Sequence, residues 1–371
     1  MEQSTVSLQN NRLLSLDFMR GFIMVLLALE STGLFEHLLD ATRGNFLNGL
    51  VQQFFHHPWN GLRFWDLIQP GFMFVAGVAM AFSLHKQKEK GVLWIDSFRK
   101  IFKRCCWLFF WGVFDYLVFA GEKTISFRLW DVLTQLSFTT LIAFLLFEWN
   151  IKTQIIICAG LLVLTECLYR FTHIPGFDQP FTDQHNFGNY MDMVLMNKIN
   201  HDGWVAINCI PTAVHTIAGA LTGKLLLSGR KDKIKQLLVW GVVCLVLGFG
   251  LDLAGITPII KRIATSSFTL ASLGWCLFGL AFCFWWIDIK NHKKYLTFFL
   301  VVGMNSIFIY LFFEIVGSHW FTQYVYIIAK GFLGIVHTPQ LPANIIAALC
   351  VFTLEWLLCY FLYRKKIFFK L

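Results

Sequence analysis

"IIICAGLLVLTECLYRF", residues 155–171, decides the fold class. It lacks the alternation of apolar and polar residues that a membrane β-strand needs to face lipid on one side and a lumen on the other. With the preceding "IKTQ" its length approaches the ~20 residues of helix that cross a bilayer. Lipid offers no water to backbone N–H and C=O groups, so only helices and closed barrels can span it. This stretch is therefore a helix. The whole chain repeats its character: of 371 residues, 57% are hydrophobic and 14% charged, against roughly 25% charged in soluble domains. An ordinary soluble domain is excluded. The expected fold is all-α, a polytopic membrane helix bundle.

Working outward from that helix, ten spans are predicted at 16–36, 64–84, 103–121, 129–147, 153–171, 204–227, 236–255, 266–287, 295–316 and 342–363. The span at 129–147 carries the weakest signal, because it opens with the polar "LWDVLTQLSFTT". The first span has no A-x-A-like cleavage site and is not expected to be a removed signal. No linker, short-period repeat or low-complexity tract divides the chain, so one transmembrane domain is expected over 1–371.

Most of the 31 basic residues fall at one set of alternate ends: Arg12, the 86–104 segment, Lys152, the 224–235 segment, "KNHKK" and "RKKIFFK". The positive-inside rule then puts both termini in the cytoplasm; in a bacterium the location would be the inner membrane. The formal charge of +9 reflects loops that meet anionic headgroups or anionic ligands, with no reason to invoke nucleic acid. The ten cysteines lie in or beside apolar spans, with neither C-x-x-C nor zinc spacing, and read as small core residues. No metal is expected.

Three stretches interrupt the apolar pattern. In "RLLSLDFMRGFIMVLLALES" (12–31), Asp17 and Arg20 share a helix face, and Glu30 lies near the far end of the span. A carboxylate at that depth either snorkels to water or faces a bundle cavity. In "FFHHPWNGLRFWDLIQPGFMF" (54–74), two histidines and two tryptophans precede a small-residue strip, Gly71, Ala76 and Gly77, that admits a close helix neighbour. Such a cluster is an interfacial aromatic anchor or a reaction site. Asp66 and Gln69 enter the membrane together and are expected to face protein. In "GMNSIFIYLFFEIV" (303–316), Asn305 and Ser306 either tie helices together or bind a ligand, and His215 has the same two readings.

These stretches together resemble the heparan-α-glucosaminide N-acetyltransferase family and its shorter bacterial relatives. "RLLSLDFMRG" is similar to the family's R-x-x-S-x-D-x-x-R-G, and "HHPWNGLRFWDLIQPGFMFVAG" to its H-x-x-W-N-G…D-L-x-x-P-x-F-x-F-x-x-G. "HDGWVAINCIPTAVHTIAGALTGKLL", "TPIIKRIATSSF", "GMNSI" and "LYRKKIFFKL" continue the series in order. The chain departs from the pattern at Ala264, where the family has tryptophan, at Glu30-Ser31, where asparagine is expected, and at Thr134-Gln135, where the family has a Q-R pair. The large soluble N-terminal region of the animal enzyme is also missing from the expected layout.

The resemblance implies a membrane acetyltransferase that takes acetyl from cytosolic acetyl-CoA and delivers it to the amine of a terminal glucosamine on the opposite face. It implies His56, three residues before Trp59, as the active histidine, rather than His57. Trp59, Asn60 and Asp66 are expected to bind substrate or support the site. Arg104, with Lys103 second, would hold the cofactor in the basic "RKIFKRCC" (99–106), and Asn305 and Ser306 are assigned to the same role. The chemistry fits independently. A histidine titrates near neutrality and can accept an amine proton or carry an acyl group, and Glu30 could orient it or take a proton itself if the first two spans adjoin. A guanidinium forks onto phosphate oxygens, although positive-inside topology alone accounts for most of these charges. In the segment 172–203, Asp178, Asp183, Asp192 and Asp202 either contact an amino sugar or belong to a capping loop. Expected partners are acetyl-CoA, an amino sugar or glycan acceptor, the lipid bilayer and, as an open alternative, a second copy of the chain. A secondary transporter of amino sugars is the competing function, with no inverted-repeat halves in its favour. A third reading is an acyltransferase for another envelope sugar or acyl group.

Overall fold

The computed structural model describes residues 13–119 and 128–369. Arg12, Lys370 and the end of the 103–121 span lie outside the described residues. The described chain is helical, with a lone backbone bridge between Asn60 and Ile260 as its strand-like pairing. In chain order the helices are α1 (Leu14–Ser31), α2 (Leu34–Ala41), α3 (Leu47–Val51), α4 (Ile68–Glu89) and α5 (Trp94–Phe119). Then come α6 (Val132–Leu146), α7 (Ile151–Phe171), α8 (Phe187–Met196), α9 (Cys209–Leu227) and α10 (Lys233–Leu253). The last are α11 (Ser266–Cys283), α12 (Leu296–Gly303), α13 (Ser306–Leu311), α14 (Thr322–Ile335) and α15 (Gln340–Arg364).

Six helical stretches among the described residues are long and apolar enough to cross a membrane: Phe64–Glu89, Ile151–Phe171, Ala206–Leu227, Lys233–Leu253, Ser266–Ile289 and Gln340–Arg364. Counting each bent pair as one span adds two: α1 with α2, bent by 70°, and α12 with Ser306–Ile335, bent by 71°. That makes up to eight where ten were predicted. The other two predicted spans fall on α5 and α6. α5 carries too many charges, Lys103 and Arg104 among them, and α6 has only 15 residues.

Small residues decide the packing. A Cβ on Gly77 would overlap the Thr216 carbonyl, and one on Gly219 the Phe74 carbonyl, so α4 and α9 lie in backbone contact. The predicted strip divides between two neighbours: Gly77 faces α9, whereas Gly71 faces Ile23 of α1. Gly21 and Gly303 play the same part where α1 meets α12. α4, α9 and α11 form the interior, while α7 and α10 expose Ile156, Val163, Val246 and Leu247, the face a lipid phase covers. The free N–H groups at the start of α1 would be costly unpaired. Asp288 answers them, accepting from Leu14 N at 3.2 Å and Ser15 N at 3.1 Å. Two expected polar residues serve as ties between helices. Gln69 Nε2 donates to Gln135 Oε1 at 2.6 Å, joining α4 to α6, and His215 Nε2 lies 2.8 Å from Ser272 Oγ, joining α9 to α11.

Candidate functional site

The His-His-Pro-Trp-Asn-Gly turn runs into the helical stretch Phe64–Glu89, and its hydrogen bonds orient both histidines. Asp66 is almost wholly buried, and its Oδ2 accepts the backbone N–H groups of Arg63 at 2.8 Å and His57 at 3.3 Å. That leaves Oδ1 for the His56 ring, whose Nδ1 lies 3.0 Å away. The Arg63 guanidinium donates to the His56 carbonyl at 3.1 Å and closes the turn. Gly61 has a φ of +146°, and a Cβ there would run into the His57 ring, so the glycine lets His57 fold back over the turn. The two histidines therefore part: His56 lines a cavity and His57 packs against its own loop.

A second turn meets the first. Gly61 N donates to the Ile259 carbonyl at 2.8 Å, and Asn60 pairs with Ile260. Thr265 staples this second turn: its Oγ1 accepts from Ile260 N at 3.0 Å and donates to the Pro258 carbonyl at 2.7 Å. Ala264, where the family pattern has tryptophan, is buried with φ +48°. The turn delivers Lys261, only 6% exposed, with Nζ 3.0 Å from His56 Nδ1 and 3.7 Å from Asp66 Oδ1. Trp204 walls the cluster: its ring lies 5.6 Å from the His56 ring and 5.2 Å from Lys261 Nζ. Burial pulls His56 below its ordinary range, Lys261 adds to the effect, and Asp66 opposes it. Burial also brings Lys261 down to about 8, against the pull of Asp66 and Glu30.

His56 and Lys261 open on a cavity of about 290 Å³ that also takes in Glu30, Trp130, Asp131, Asp202, Tyr310 and Glu314. Its polar character comes from residues far apart in sequence. Glu30 shares this space with His56, but Asp66 and Lys261 hold the ring at Nδ1, so the orienting contact expected of Glu30 belongs to Asp66. Trp59 and Asn60 support the turn: Trp59 Nε1 donates to the Phe181 carbonyl at 2.8 Å. The segment 172–203 contributes Asn200 and Asp202 to the cavity. Asp192 lies behind it, accepting from Trp130 Nε1 and Ala206 N, each at 2.9 Å, and burial lifts its carboxyl to about 7.

A second cavity, of about 740 Å³, is lined by Lys100, Lys103, Arg104, Trp107 and Trp111 of α5, by Phe369, and by apolar residues of the 306–321 stretch. Asn305 and Ser306 are absent from its lining. Asn305 acts at one remove: its amide donates to the Ile367 carbonyl at 3.1 Å and accepts from Phe369 N at 3.0 Å, fixing the tail that carries Phe369. One helical stretch walls both cavities. Ile307, Phe308, Leu311, Phe312, Ile315 and Val316 face the basic cavity, while Tyr310 and Glu314 face the polar one. From Phe312 to Phe321 this stretch is wound with i→i+5 spacing, a rare geometry that concentrates at functional sites. Asp66 precedes α4, whereas Arg104 lies about ten residues into α5, beyond the turn at 90–93.

Lys261 was not singled out from the sequence, although "TPIIKRIATSSF" was. The available signal was the basic pair Lys261-Arg262 in an otherwise apolar turn just ahead of Thr265, which caps α11. The family description heparan-alpha-glucosaminide N-acetyltransferase, catalytic, matches residues 12–249. The mouse protein named heparan-alpha-glucosaminide N-acetyltransferase is 23% identical over 427 residues, covering 97% of this chain and 61% of the mouse protein. The human protein of that name is 24% identical over 429 residues, covering 97% of this chain and 60% of its own length. The chain thus spans about three fifths of these curated relatives. On the extent of the family match, the chain belongs to the heparan-alpha-glucosaminide N-acetyltransferase catalytic family.

Proposed function

We propose that this protein is a membrane-embedded acetyltransferase that moves acetyl from acetyl-CoA on the cytoplasmic side to the amine of glucosamine, or of a glucosamine-containing glycan, on the outer side. The observation that carries this reading is the wall shared by the two cavities. A donor bound among Lys103 and Arg104 and an acceptor bound beside His56 would approach one another across Ser306–Phe321. CoA is polyanionic, and Arg104 offers a fork for its phosphate oxygens. The apolar remainder of the basic cavity suits a pantetheine arm. The polar cavity pairs Trp130 and Trp204 with Glu30, Asp202 and Glu314, a combination suited to a sugar ring bearing an ammonium. Family membership supports the same chemistry.

The topology belongs to this proposal: ten spans in one domain over 1–371, α5 and α6 included, with both termini cytoplasmic by the distribution of lysine and arginine. Asp66 and Lys261 occupy Nδ1 of His56, leaving Nε2 for substrate. The acceptor nitrogen attacks the thioester carbonyl, its proton passes to His56 Nε2, the C–S bond breaks, and sulfur leaves with the bonding electrons and is then protonated. His56 could instead carry the acetyl group transiently, which label trapped on His56 without acceptor would reveal. The decisive test incubates purified protein with labelled acetyl-CoA and glucosamine and looks for N-acetylglucosamine by mass spectrometry. Uptake of unmodified amino sugar into vesicles, with no acetylated product, would favour a carrier instead.

A further inference from the structure

His56 Nδ1 has two partners and room for one proton. Asp66 Oδ1 and Lys261 Nζ each lie 3.0 Å from it. A carboxylate only accepts, an ammonium only donates, and a neutral imidazole nitrogen does one or the other. When Lys261 is charged it donates to Nδ1, and the ring proton sits on Nε2. When Lys261 is neutral, Nδ1–H donates to Asp66 and Nε2 presents a lone pair. The cavity thus meets either an N–H donor or a base, and the difference is one proton on Lys261. Asp66 cannot turn away to relieve the conflict, because Arg63 and His57 hold its other oxygen.

We propose that Lys261 sets the tautomer of His56 and receives the proton that makes the acceptor amine nucleophilic. The inference rests on the acetyl-transfer reading above for its substrate, but its geometry stands on these three side chains. In the reactive state Lys261 is a neutral amine and His56 is protonated on Nδ1. The acceptor ammonium gives a proton to Nε2, and the Nδ1 proton crosses to Lys261 Nζ, leaving a neutral amine beside a charged lysine. The amine nitrogen attacks the thioester and the C–S bond breaks. Nε2–H protonates the departing sulfur and takes the second nitrogen proton in exchange. Lys261 then returns its proton to Nδ1 as Nε2 releases one to water, so the net products are amide, thiol and one proton.

Burial of Lys261 brings its neutral form within reach of ordinary pH, at about 8. The groups that face it are His56, Asp66, Glu30 and Arg262, with the Trp204 ring beside them. Asp131, Asp202, Tyr310 and Glu314 border the same cavity. The coupled cluster titrates as a unit, and its upper step governs the base form of His56.

The test is ¹⁵N spectroscopy of histidine-labelled protein in nanodiscs, which reads the His56 tautomer without any substrate. Wild type should convert from Nε2–H to Nδ1–H as pH rises through the lysine titration. Lys261→Met should stay Nδ1–H wherever the ring is neutral, and Lys261→Arg should stay Nε2–H throughout. In turnover, Lys261→Arg should lower kcat by about 100- to 1,000-fold, the scale of general-base loss, with little change in KM for acetyl-CoA. Lys261→Met should retain more activity and move the acid limb of kcat/KM to lower pH. If both variants keep the wild-type tautomer and pH limb, Lys261 is only a counter-ion and the proposal is overturned. If wild type acetylates no amino sugar, the acetyl-transfer reading fails, and the tautomer spectra still decide this one.

Discussion

The basic cavity takes its cations from a single helix, Lys100, Lys103 and Arg104 on α5, whereas the polar cavity collects its charged groups from segments scattered between Glu30 and Glu314. On the proposed function, the difference is one of binding against chemistry. Successive residues on a helix can present positive charge to a polyanion, and their exact placement matters less than their sum. A proton-transfer cluster needs groups about 3 Å apart at fixed angles, which no short helical stretch supplies. The turn at 56–63 and the turn at 258–265 provide it by docking on one another through Gly61 and Ile259. Mutations should divide along the same line, with turnover lost on one side and donor affinity on the other.

The largest effect is expected at His56. His56→Ala should reduce product formation by about 100- to 10,000-fold, the usual worth of a positioned general base, while His57→Ala keeps most of its activity. An inactive His57→Ala beside an active His56→Ala would reverse the assignment. Next comes Arg104→Ala on the basic side. A lost charge-assisted hydrogen bond costs roughly 1.5–3 kcal/mol, so KM for acetyl-CoA should rise about tenfold to a hundredfold while KM for the sugar holds. Equal increases in both would mean that the cavities are not separate binding sites. Glu30→Gln should lower kcat several-fold more than it alters donor KM, because a group that meets the reacting amine acts on the transition state. Normal kcat in that variant would return Glu30 to an interfacial carboxylate.

The smallest effect concerns the wall behind the polar cavity. Burial raises Asp192 from 3.8 to about 7, so the fold favours the protonated acid. Its contribution is fully present below the unfolded value and is lost as pH rises through that window. The melting temperature of wild type relative to Asp192→Asn should fall by a few degrees between those two pH values, and a flat difference would show that the carboxyl titrates normally. The slope is the readout, since asparagine also loses one of the two acceptors used by Trp130 and Ala206.

The helical class was legible because lipid forbids almost everything else, and the long spans were legible because their apolar runs are unbroken. The two bends were not. Gly33, at φ +77°, turns α1 into α2, and Asn305 separates α12 from α13; neither looks different in sequence from a glycine or asparagine inside a straight span. At the site, "HHPWNG" and "RKIFKRCC" were visible because each is contiguous. The place of Asp66 on the His56 ring was half visible, since Asp66 was read as substrate-binding or site-supporting while the residue expected to orient His56 was Glu30. Lys261 lies 205 residues from His56, and its approach depends on Thr265, Ile259 and Gly61 folding two turns together, which spacing along one chain cannot express. Asn305 was read as either a tie between helices or a ligand residue, and it fastens the tail that lines the basic cavity.

The most direct measurement of the central claim is sidedness in oriented proteoliposomes. Acetyl-CoA is supplied on the face bearing Arg104 and labelled glucosamine is confined to the face bearing His56, with each side assayed for product. The account predicts N-acetylglucosamine on the His56 side and free CoA on the Arg104 side, with Arg104→Ala slowing the reaction only at limiting acetyl-CoA. Product formed only when both substrates share one face would contradict transfer across the wall at Ser306–Phe321, even in an active acetyltransferase.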